Sequence, residues 1–485
     1  MSEVERNSII AIILSFLILM IWWKIYSPKV PVKNQKTSSL ASSTKKQRRE
    51  VKTDESKDTE FIELKNEEIS CIFGKKSGLL YHLFLQGNTS KVDLIYPDGP
   101  KPFLFKLDGK ILSNPEIEKR ENSIILKFEE LTAKFILSQK TLKLLCLNPS
   151  KKNLEIIWRG GIGTDKDLLE QQKKRKLVYL HIRKQNRVFK LKEIKEKLWE
   201  WLSISNRYFL LAFFPQGKFF VEACLKTPQE LINFSSTEET LNLEIFPTIK
   251  KYSLLKKMKN GLEKTLAFGL FSPLSIFFLN VLNFFYKFLG NYGWSIVLLT
   301  IIIQIFLTPL TRKNIKAAQD MKRIQPYIKK LQEQYKDDPK KLQAELLNVY
   351  RVHKVNPLGG CLPMFLQIPI FWSLFTMLQG AVELRGAPFI LWIKDLSRPD
   401  ALFGHFPSFI PFLGGWPVGP LPLLMGALMF LQQRLTITDP QQKAFLIMPV
   451  FFTFIFLNFP SGLVLYWLTS NLITFIENLI FLEKK

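Results

Sequence analysis

The chain has 485 residues, enough for two or three domains, and its 68 Lys and Arg against 42 Asp and Glu leave a formal net charge of +26. Its second half contains long uncharged apolar runs, which are typical of membrane spans and exclude an ordinary soluble globular protein. A basic balance also suits nucleic-acid binding, but cytoplasmic loops rich in Lys and Arg account for it, so we expect no nucleic-acid partner.

The sequence contains no motif typical of a catalytic, nucleotide or metal site. The four histidines are scattered, and the HExxH, GxxxxGK[ST] and GxSxG patterns are absent. The four cysteines form no CxxC pair. We therefore expect no enzyme activity, no cofactor and no resident metal.

The first 58 residues predict a membrane anchor and a linker. Residues 8–23 are uncharged and end at Trp22 and Trp23, which suit a membrane interface. The acidic start and the lack of a small-residue cleavage site favour an uncleaved anchor over residues 1–26. Residues 27–58 are polar, charged and rich in Ser and Thr, which predicts a flexible linker.

Residues 59–250 predict a β-rich globular domain. Short apolar and alternating runs, such as SIILKFEELTAKFIL, are separated by turn residues, as in a β-sandwich. One stretch differs, because residues 190–203 carry apolar side chains three and four apart, and this spacing predicts a helical insert.

The rest of the chain predicts five membrane spans, which make six with the N-terminal anchor. They cover residues 292–311, 359–382, 420–435, 443–460 and 461–482. A further apolar segment at 271–290 is interrupted by Asn280, Asn283 and Lys287. Hydropathy leaves two interpretations open: an amphipathic helix lying in the interface, or a seventh span that moves the β-rich domain across the membrane.

The charges of the loops predict the orientation of the six-span arrangement. The segment 312–354 holds 12 Lys and Arg against 5 Asp and Glu, which places it in the cytoplasm. The 383–418 loop is balanced and is expected outside, whereas the 434–443 turn and the basic tail 483–485 are expected inside. The N-terminus is then cytoplasmic and the β-rich domain extracytoplasmic.

The cytoplasmic segment 312–357 predicts a helical hairpin. Asp338 suits an N-cap and Pro339 a first helical position, so a turn separates two helices there. Both helices carry an apolar stripe, formed by Met321, Ile324, Ile328, Leu331 and Tyr335 and then by Leu342, Leu346 and Val349. A hairpin that serves only membrane topology is the alternative to a functional one.

Polar residues recur at helical spacing inside two predicted spans. The first stripe comprises Thr300, Gln304, Thr308 and Thr311, and the second comprises Trp467, Asn471, Thr474 and Asn478, with Ser470 and Glu477 beside it. Gln367 and Gln379 lie in a third span. Such residues either bond helix to helix or line a shared polar cavity, and both interpretations stay open. The 443–460 span is also short, at about 24 Å against a hydrocarbon core of about 30 Å, and such mismatch thins the bilayer.

These segments resemble the YidC-type membrane protein insertases, in the Gram-negative form with a large periplasmic domain. The resemblance runs nearly end to end and is carried by GNYGWSIVLLT, PLTRKN, MKRIQPYIKKLQEQYKDDPKKL, YRVHKVNPLGGCLPMFLQIPIFWSLFTML, ELRGAPFILWIKDLSRPD and FPSGLVLYWLTSN. It implies an α-helical inner-membrane protein with a five-helix core at 292–482, a periplasmic β-supersandwich and, within the connecting segment 251–291, an interfacial helix at about 268–290.

The resemblance also implies the activity and the site. The protein would insert and fold nascent membrane proteins as an insertase and chaperone, alone or beside the Sec translocon, with the ribosome or the signal recognition particle pathway as further partners. A hydrophilic groove open to cytosol and lipid would contain Thr300, Gln304, Thr308, Gln367, Tyr466, Trp467 and Asn471. The hairpin and the groove mouth would present Arg312, Lys313, Lys322, Arg323, Lys329 and Lys330.

One position departs from the family pattern. Family members usually carry a positive residue, most often Arg, five positions before the Pro of the PLT motif, where this chain has Gln304. Gln forms hydrogen bonds but cannot attract an acidic segment by charge, which favours insertion by hydration and bilayer thinning. The alternative function is a solute transporter or channel, although ionisable residues inside the spans are scarce.

Overall fold

The computed structural model describes residues 58–483, apart from 87–90, 96–98, 161, 163–175, 182–187, 192, 197–198, 225–230, 259, 267, 336–337, 354, 356–361, 411–412 and 437–445. The predicted N-terminal anchor and all but the last residue of the predicted linker lie outside the described residues. The described residues belong to two compact units, which divide after Leu266.

The first unit is built from antiparallel strands. The described strands are β1 (Phe61–Lys65), β2 (Ile69–Gly74), β3 (Leu80–Gln86), β4 (Lys91–Asp93), β5 (Leu104–Leu107), β6 (Lys110–Ile111), β7 (Glu116–Arg120), β8 (Ser123–Lys127), β9 (Thr132–Leu137), β10 (Leu142–Leu147), β11 (Leu154–Arg159), β12 (Lys176–His181), β13 (Val188–Leu191), β14 (Glu193–Glu196), β15 (Trp199–Ser205), β16 (Phe209–Gln216), β17 (Phe220–Cys224), β18 (Leu231–Ser236) and β19 (Thr240–Ile249). They form three sheets, with the orders β1-β2-β3-β4, β13-β12-β15-β16-β19-β10-β9-β8-β7 and β14-β17-β18-β11-β5-β6. Helix α1 (Tyr252–Lys257) and a 3-10 turn (Leu262–Thr265) follow.

Aromatic side chains from all three sheets form the core of this unit. In β9 and β10 buried residues alternate with partly exposed ones, as expected for strands with one face on a core. The ring of Phe73 in the four-stranded sheet lies 4.8 Å from that of Phe135 in the nine-stranded sheet. Trp158 in the six-stranded sheet lies 5.3 Å from Phe213 in the nine-stranded sheet. The predicted β-rich domain is therefore confirmed.

The predicted helical insert at 190–203 is wrong, because this stretch contributes to β13, β14 and β15. Strand β15 pairs with β12 on one side and with β16 on the other, so neighbouring strands satisfy the backbone groups that a helix would satisfy internally. Trp201 is buried, and its indole N–H donates to the carbonyl of Asn260 at 2.7 Å. Apolar spacing alone did not distinguish these short runs from a helix.

The second unit is helical. Its helices are α2 (Ser272–Leu289), α3 (Tyr292–Gln334), α4 (Pro339–Val352), α5 (Leu362–Gly380), α6 (Pro420–Thr436), α7 (Ile447–Phe456) and α8 (Ser461–Glu483). Within the described residues, three of them are long and apolar enough to cross a membrane, namely α2, α3 and the segment Ser461–Ile480 of α8, and α7 is a shorter apolar helix. The bounds of α5, α6 and α8 agree closely with three predicted spans.

Helix α3 begins as predicted but continues far beyond the predicted end of the span at residue 311. Its start is capped by Asn291, whose side-chain oxygen accepts hydrogen bonds from the backbone N–H groups of Gly293 and Trp294. It then runs for 43 residues with Pro309 and Pro326 inside it. The onset of positive charge after Leu310 therefore ends the apolar surface of the helix but not the helix itself.

The predicted helical hairpin is present. Helix α3 ends at Gln334, α4 begins at Pro339, and the two pack against each other. The Asp338 side chain accepts a hydrogen bond from the backbone N–H of Lys341 at 3.1 Å, which confirms the predicted N-cap. Near the open end of the hairpin the rings of Tyr327 and His353 lie 5.0 Å apart.

Candidate functional site

The two predicted polar stripes lie on helices that pack against each other. Helix α8 contacts α3, α5 and α6, so its sides face three neighbours. On α3, Thr300 is fully buried and Gln304 is 4% exposed, whereas Ile305 and Phe306 on another side of the helix are 63% and 78% exposed. The polar side of α3 is therefore the packed side, and its apolar side is free to meet lipid.

Three hydrogen bonds connect polar side chains of different helices. The Gln304 amide on α3 donates to the hydroxyl of Ser470 on α8. One to two turns further along, the Thr308 hydroxyl donates to Glu477 Oε1 at 2.6 Å, the shorter of its two contacts, since the Gln304 carbonyl lies 2.9 Å away. On another side of α8, Gln367 Nε2 of α5 donates to the hydroxyl of Tyr466 at 3.0 Å. These bonds form a polar seam, by which we mean the side chains of α3, α5 and α8 that they join.

Two other predicted groove residues bond within their own helix. The Thr300 hydroxyl donates to the carbonyl of Ile296 at 2.7 Å, and Asn471 Nδ2 donates to the carbonyl of Trp467 at 2.8 Å. Such bonds satisfy a polar side chain locally and leave the partner helix free. Thr300 and Asn471 therefore make the stretch polar without joining α3 to α8.

Aromatic rings surround the seam on the α8 side. The Trp467 ring lies 4.9 Å from that of Phe371 on α5 and 5.3 Å from that of Phe456 on α7. Its indole N–H and Glu477 Oε2 are buried without a hydrogen-bond partner among the described residues. Buried polar atoms are usually satisfied, so these two mark where the seam has unused hydrogen-bonding capacity.

Comparison with known proteins places this helical unit in a family. The profile of the family described as 60Kd inner membrane protein matches residues 284–485. The membrane protein insertase YidC of Endomicrobium trichonymphae is 36% identical in an alignment that covers 99% of this chain and 98% of that protein. The chain belongs to the YidC family of membrane protein insertases.

A further relative and a solved structure are similar to parts of the chain. The insertase YidC of Pelobacter propionicus is 42% identical over 58% of this chain and 54% of that protein. A crystal structure described as active YidC insertase with the first transmembrane domain resolved is 21% identical, covers 87% of this chain and 92% of its own, and has a TM-score of 0.41. On the curated relatives and the family profile, the chain is an insertase and a multi-pass protein of the bacterial inner membrane, and the transporter alternative is not favoured.

The basic residues singled out from the insertase sequence all lie on α3 and are exposed. They are Arg312, Lys313, Lys322, Arg323, Lys329 and Lys330. The same stretch of helix has a buried side in the hairpin, since Ile324 is 2% exposed. The hairpin therefore presents positive charge to the solvent while its apolar side packs against α4.

Sequence reasoning missed some of the contacts that join the helices of the insertase. The helical spacing places Ser470 and Glu477 beside the α8 stripe, but these two residues are the ones that reach α3. Ser275 of α2 was not singled out, yet its buried hydroxyl contacts the carbonyl of Ser373 at 3.0 Å and Thr376 Oγ1 at 3.1 Å on α5. A small hydroxyl residue on each of two apolar helices is the sequence signal that could have predicted this contact between α2 and α5.

The chemistry available at the seam is hydrogen bonding. In the described part of the chain no group of three or more His, Cys, Asp and Glu side chains could hold a metal ion. Amides, hydroxyls and one carboxylate can bind water or the polar backbone and side chains of a passing segment. An arrangement of this kind lowers the cost of polar groups inside a bilayer, which suits insertion.

Proposed function

We propose that the polar seam between α3, α5 and α8 is where the insertase contacts the nascent membrane proteins it inserts. The observation that carries the proposal is the set of buried and partly buried polar side chains that join the apolar sections of these helices. Thr308 and Gln367 of the seam are only partly buried, as are Trp467 and Asn471 beside it, so the seam has an accessible side. Separation of the helices along this side would expose Thr300, Gln304 and Tyr466 as a hydrophilic groove.

The proposed mechanism is passive. A new span gains about 0.3–0.6 kcal/mol for each central Leu, Ile, Phe or Val, so twenty such residues outweigh the transfer of a short polar tail. The role of the groove is to lower the barrier for that tail by offering hydrogen bonds at membrane depth. The described part of α7 spans 10 residues, or about 15 Å, and a short helix of this kind thins the bilayer around it.

The basic hairpin is proposed to receive the substrate before it reaches the seam. Its exposed Lys and Arg side chains suit acidic segments of a nascent chain, the ribosome or the signal recognition particle pathway, and the lipid headgroups. Arg312 and Lys313 stand where α3 leaves its apolar section. They would supply positive charge at the groove mouth, because Gln304 does not supply it inside.

The proposed topology has six spans, with residues 1–26 as the anchor, 27–58 as the linker, 59–250 as the periplasmic β-supersandwich, 251–291 as the connecting segment and 292–482 as the insertase core. Both termini, including the tail 483–485, are cytoplasmic. Helix α2 then lies in the interface, although its length and apolar composition would also allow it to span. We also propose that the protein inserts and folds membrane proteins, as an insertase and chaperone, either alone or beside the Sec translocon.

The first test is insertion into liposomes. A single-span protein with a short translocated tail would be offered to liposomes that contain only this chain and to empty liposomes, and insertion would be read by protease protection. We expect protection above the empty control. Equal protection in the two samples would mean that this chain needs a partner for insertion.

The role of Gln304 can be tested in the same assay. Gln304→Leu removes the amide that bonds to Ser470 and makes the seam less able to bind water, whereas Gln304→Arg keeps a hydrogen-bond donor. We expect Gln304→Leu to slow insertion several-fold more than Gln304→Arg does. Phe306→Leu, on the exposed side of α3, is the matched control and should insert like the wild type. Equal rates for all of these proteins would contradict the groove role of Gln304.

A further inference from the structure

The loop between α5 and α6 contains a stretch whose composition resembles that of a membrane segment. Residues 401–419 include no Asp, Glu, Lys or Arg, and their five aromatic residues are Phe403, Phe406, Phe409, Phe412 and Trp416. A stretch of this kind in a solvated loop would be unusual, since loops are mostly polar. Because this stretch connects two helices of a multi-pass membrane protein, it lies close enough to the bilayer for its apolar side chains to contact lipid.

Residues 403–410 and 413–418 form the two sides of a hairpin held by four backbone hydrogen bonds. The Phe403 N–H donates to the Val418 carbonyl and the Val418 N–H to the Gly404 carbonyl, both at 2.9 Å. Closer to the tip, the Phe406 N–H donates to the Trp416 carbonyl at 2.8 Å and the Gly415 N–H to the Phe406 carbonyl at 2.9 Å. Gly404 and Gly415 have φ angles of +88° and +79°, a conformation that favours glycine. We call this segment the apolar hairpin.

The apolar hairpin turns large side chains outward. Phe403 is 63% exposed and Phe409, at the tip, is 82% exposed. Leu402 beside the base and Leu391 earlier in the loop are also exposed, and Leu391 keeps a left-handed φ of +54°. Exposed apolar side chains that are grouped in this way usually mark an interaction surface.

The base of the hairpin is fixed to the first residues of α6 and α8. The Asp400 carboxylate accepts hydrogen bonds from the backbone N–H of Leu421, in the first turn of α6, at 2.8 Å and from the indole of Trp392 at 3.1 Å. The backbone N–H and hydroxyl of Ser461, the first residue of α8, both donate to the carbonyl of Arg398. The loop therefore stays at the level where α6 and α8 begin.

We propose that the apolar hairpin inserts its tip into the headgroup and upper acyl region of the leaflet at the α5–α6 end of the protein. Two observations favour lipid over a protein partner: the attachment of the loop to α8, which is long and apolar enough to cross the bilayer, and the absence of Asp, Glu, Lys and Arg from residues 401–419, which leaves no permanent charge with which to recognise a protein. Aromatic side chains are favourable in this layer because their rings are amphipathic or polarisable. The hairpin thus acts as an interfacial anchor that holds the α6 and α8 ends at a fixed depth.

The test measures the depth of a spin label in liposomes that contain the full-length chain. A nitroxide is attached to Phe409→Cys, and its accessibility to oxygen and to a water-soluble nickel complex is compared with two references. Phe306→Cys, on the exposed apolar side of α3, reports the lipid environment. Leu147→Cys, an exposed apolar position in β10, reports water. The wild-type chain, treated with the same label, gives the background from native cysteines.

We expect the oxygen-to-nickel ratio at Phe409 to exceed that at Leu147 several-fold and to approach that at Phe306. A ratio equal to that at Leu147 would overturn the proposal, because the tip would then lie in water. Low accessibility to both reagents would also overturn it, since it indicates contact with protein such as a second copy. Ser408→Cys, at the exposed neighbouring position, replaces Phe409→Cys if that variant does not fold. Insertion activity, measured in the same liposomes, tests the proposed groove independently of the depth of the hairpin.

Discussion

Polar side chains inside the helical unit make two kinds of contact that sequence spacing does not separate. Thr300 and Thr311 bond to carbonyls one turn back in α3, whereas Gln304 bonds to a side chain of α8. Thr308 has both kinds of contact, at 2.9 Å to the Gln304 carbonyl and at 2.6 Å to Glu477 on α8. Only the contacts of Gln304 and Thr308 to α8 can hold the two helices together, because a bond within one helix survives when the helices separate. This distinction gives a test at the level of single side chains.

The Thr308–Glu477 hydrogen bond should appear as a coupling energy in a double-mutant cycle. Thr308→Val and Glu477→Leu each remove one partner, and we expect a coupling of about 0.5–2 kcal/mol in the free energy of unfolding, as for other hydrogen bonds between membrane helices. Unfolding of the full-length chain in mixed micelles would measure it. The control cycle pairs Thr311→Val with Glu477→Leu and should give a coupling near zero. Additive effects of Thr308→Val and Glu477→Leu would contradict the pairing.

The buried thiols of the β-rich unit predict a loss of stability at alkaline pH. Cys71 and Cys146 are fully buried, and burial raises the pKa of both thiols above the value of about 8.5 in an unfolded chain. A raised pKa in the folded state contributes stability that is present below pH 8.5 and is lost as the pH rises beyond it. At pH 9.5 we expect a loss of about 1 kcal/mol for each thiol.

The measurement compares the wild type with the variant that carries Cys71→Ala and Cys146→Ala. The difference between their free energies of unfolding should shrink from pH 7.5 to pH 9.5, because only the wild type has these thiols to ionise. If the difference between the two free energies of unfolding does not change with pH, ionisation of these thiols is not the cause of the loss of stability at alkaline pH. The folded wild type should also resist maleimide labelling at these two positions.

At the scale of elements, α3 shows that hydropathy and helicity end at different places. The apolar section ends where Arg312 and Lys313 begin, but the helix continues to Gln334. Two prolines lie inside it, and each removes one backbone donor without ending the helix. One continuous element therefore joins the polar seam to the basic hairpin, which suits a path for substrate from hairpin to groove.

The cap of α4 should control the local stability of the hairpin. Asp338→Ala removes the acceptor for the Lys341 N–H, and we expect a loss of about 0.5–2 kcal/mol in the stability of the first turns of α4. Asp338→Ser keeps a capping oxygen and serves as the matched control. Hydrogen exchange of the α4 amides in the full-length chain would measure the change. Equal protection in Asp338→Ala and the wild type would mean that packing against α3 alone holds the turn.

At the scale of the whole molecule, the role of α2 decides on which side of the membrane the β-rich unit lies. If α2 lies in the interface, the unit and the basic hairpin are on opposite sides. If α2 spans, they are on the same side. The apolar composition of α2 allows both, since its Phe277, Phe284 and Phe288 are exposed and would face lipid in either arrangement.

Accessibility of two engineered cysteines to a membrane-impermeant reagent distinguishes these arrangements. Leu147→Cys lies on the β-rich unit, and Ala344→Cys lies at an exposed position of α4. In cells with a permeabilised outer membrane we expect labelling of the first and not of the second until the inner membrane is opened. The wild type supplies the background. Labelling of both cysteines from the same side would exclude the six-span arrangement.

The sequence by itself determined the order of the parts and the family. Runs of apolar residues predicted the helices that became α5, α6 and α8, alternation predicted the β-rich unit, and Asp338 with Pro339 predicted the turn of the hairpin. These features depend on local composition and spacing, and so they can be read from neighbouring residues. The motif series predicted the insertase family, which the relatives confirm.

Only the tertiary structure decided which side chains meet. Spacing marked Asn471 and Thr474 as the polar stripe of α8, but the rotation of α8 against α3 brings Ser470 and Glu477 into contact instead. Likewise, the stretch around Trp201 is a strand because β12 and β16 lie on both sides of it. Contacts between segments far apart in the chain set both outcomes, and no local pattern contains them.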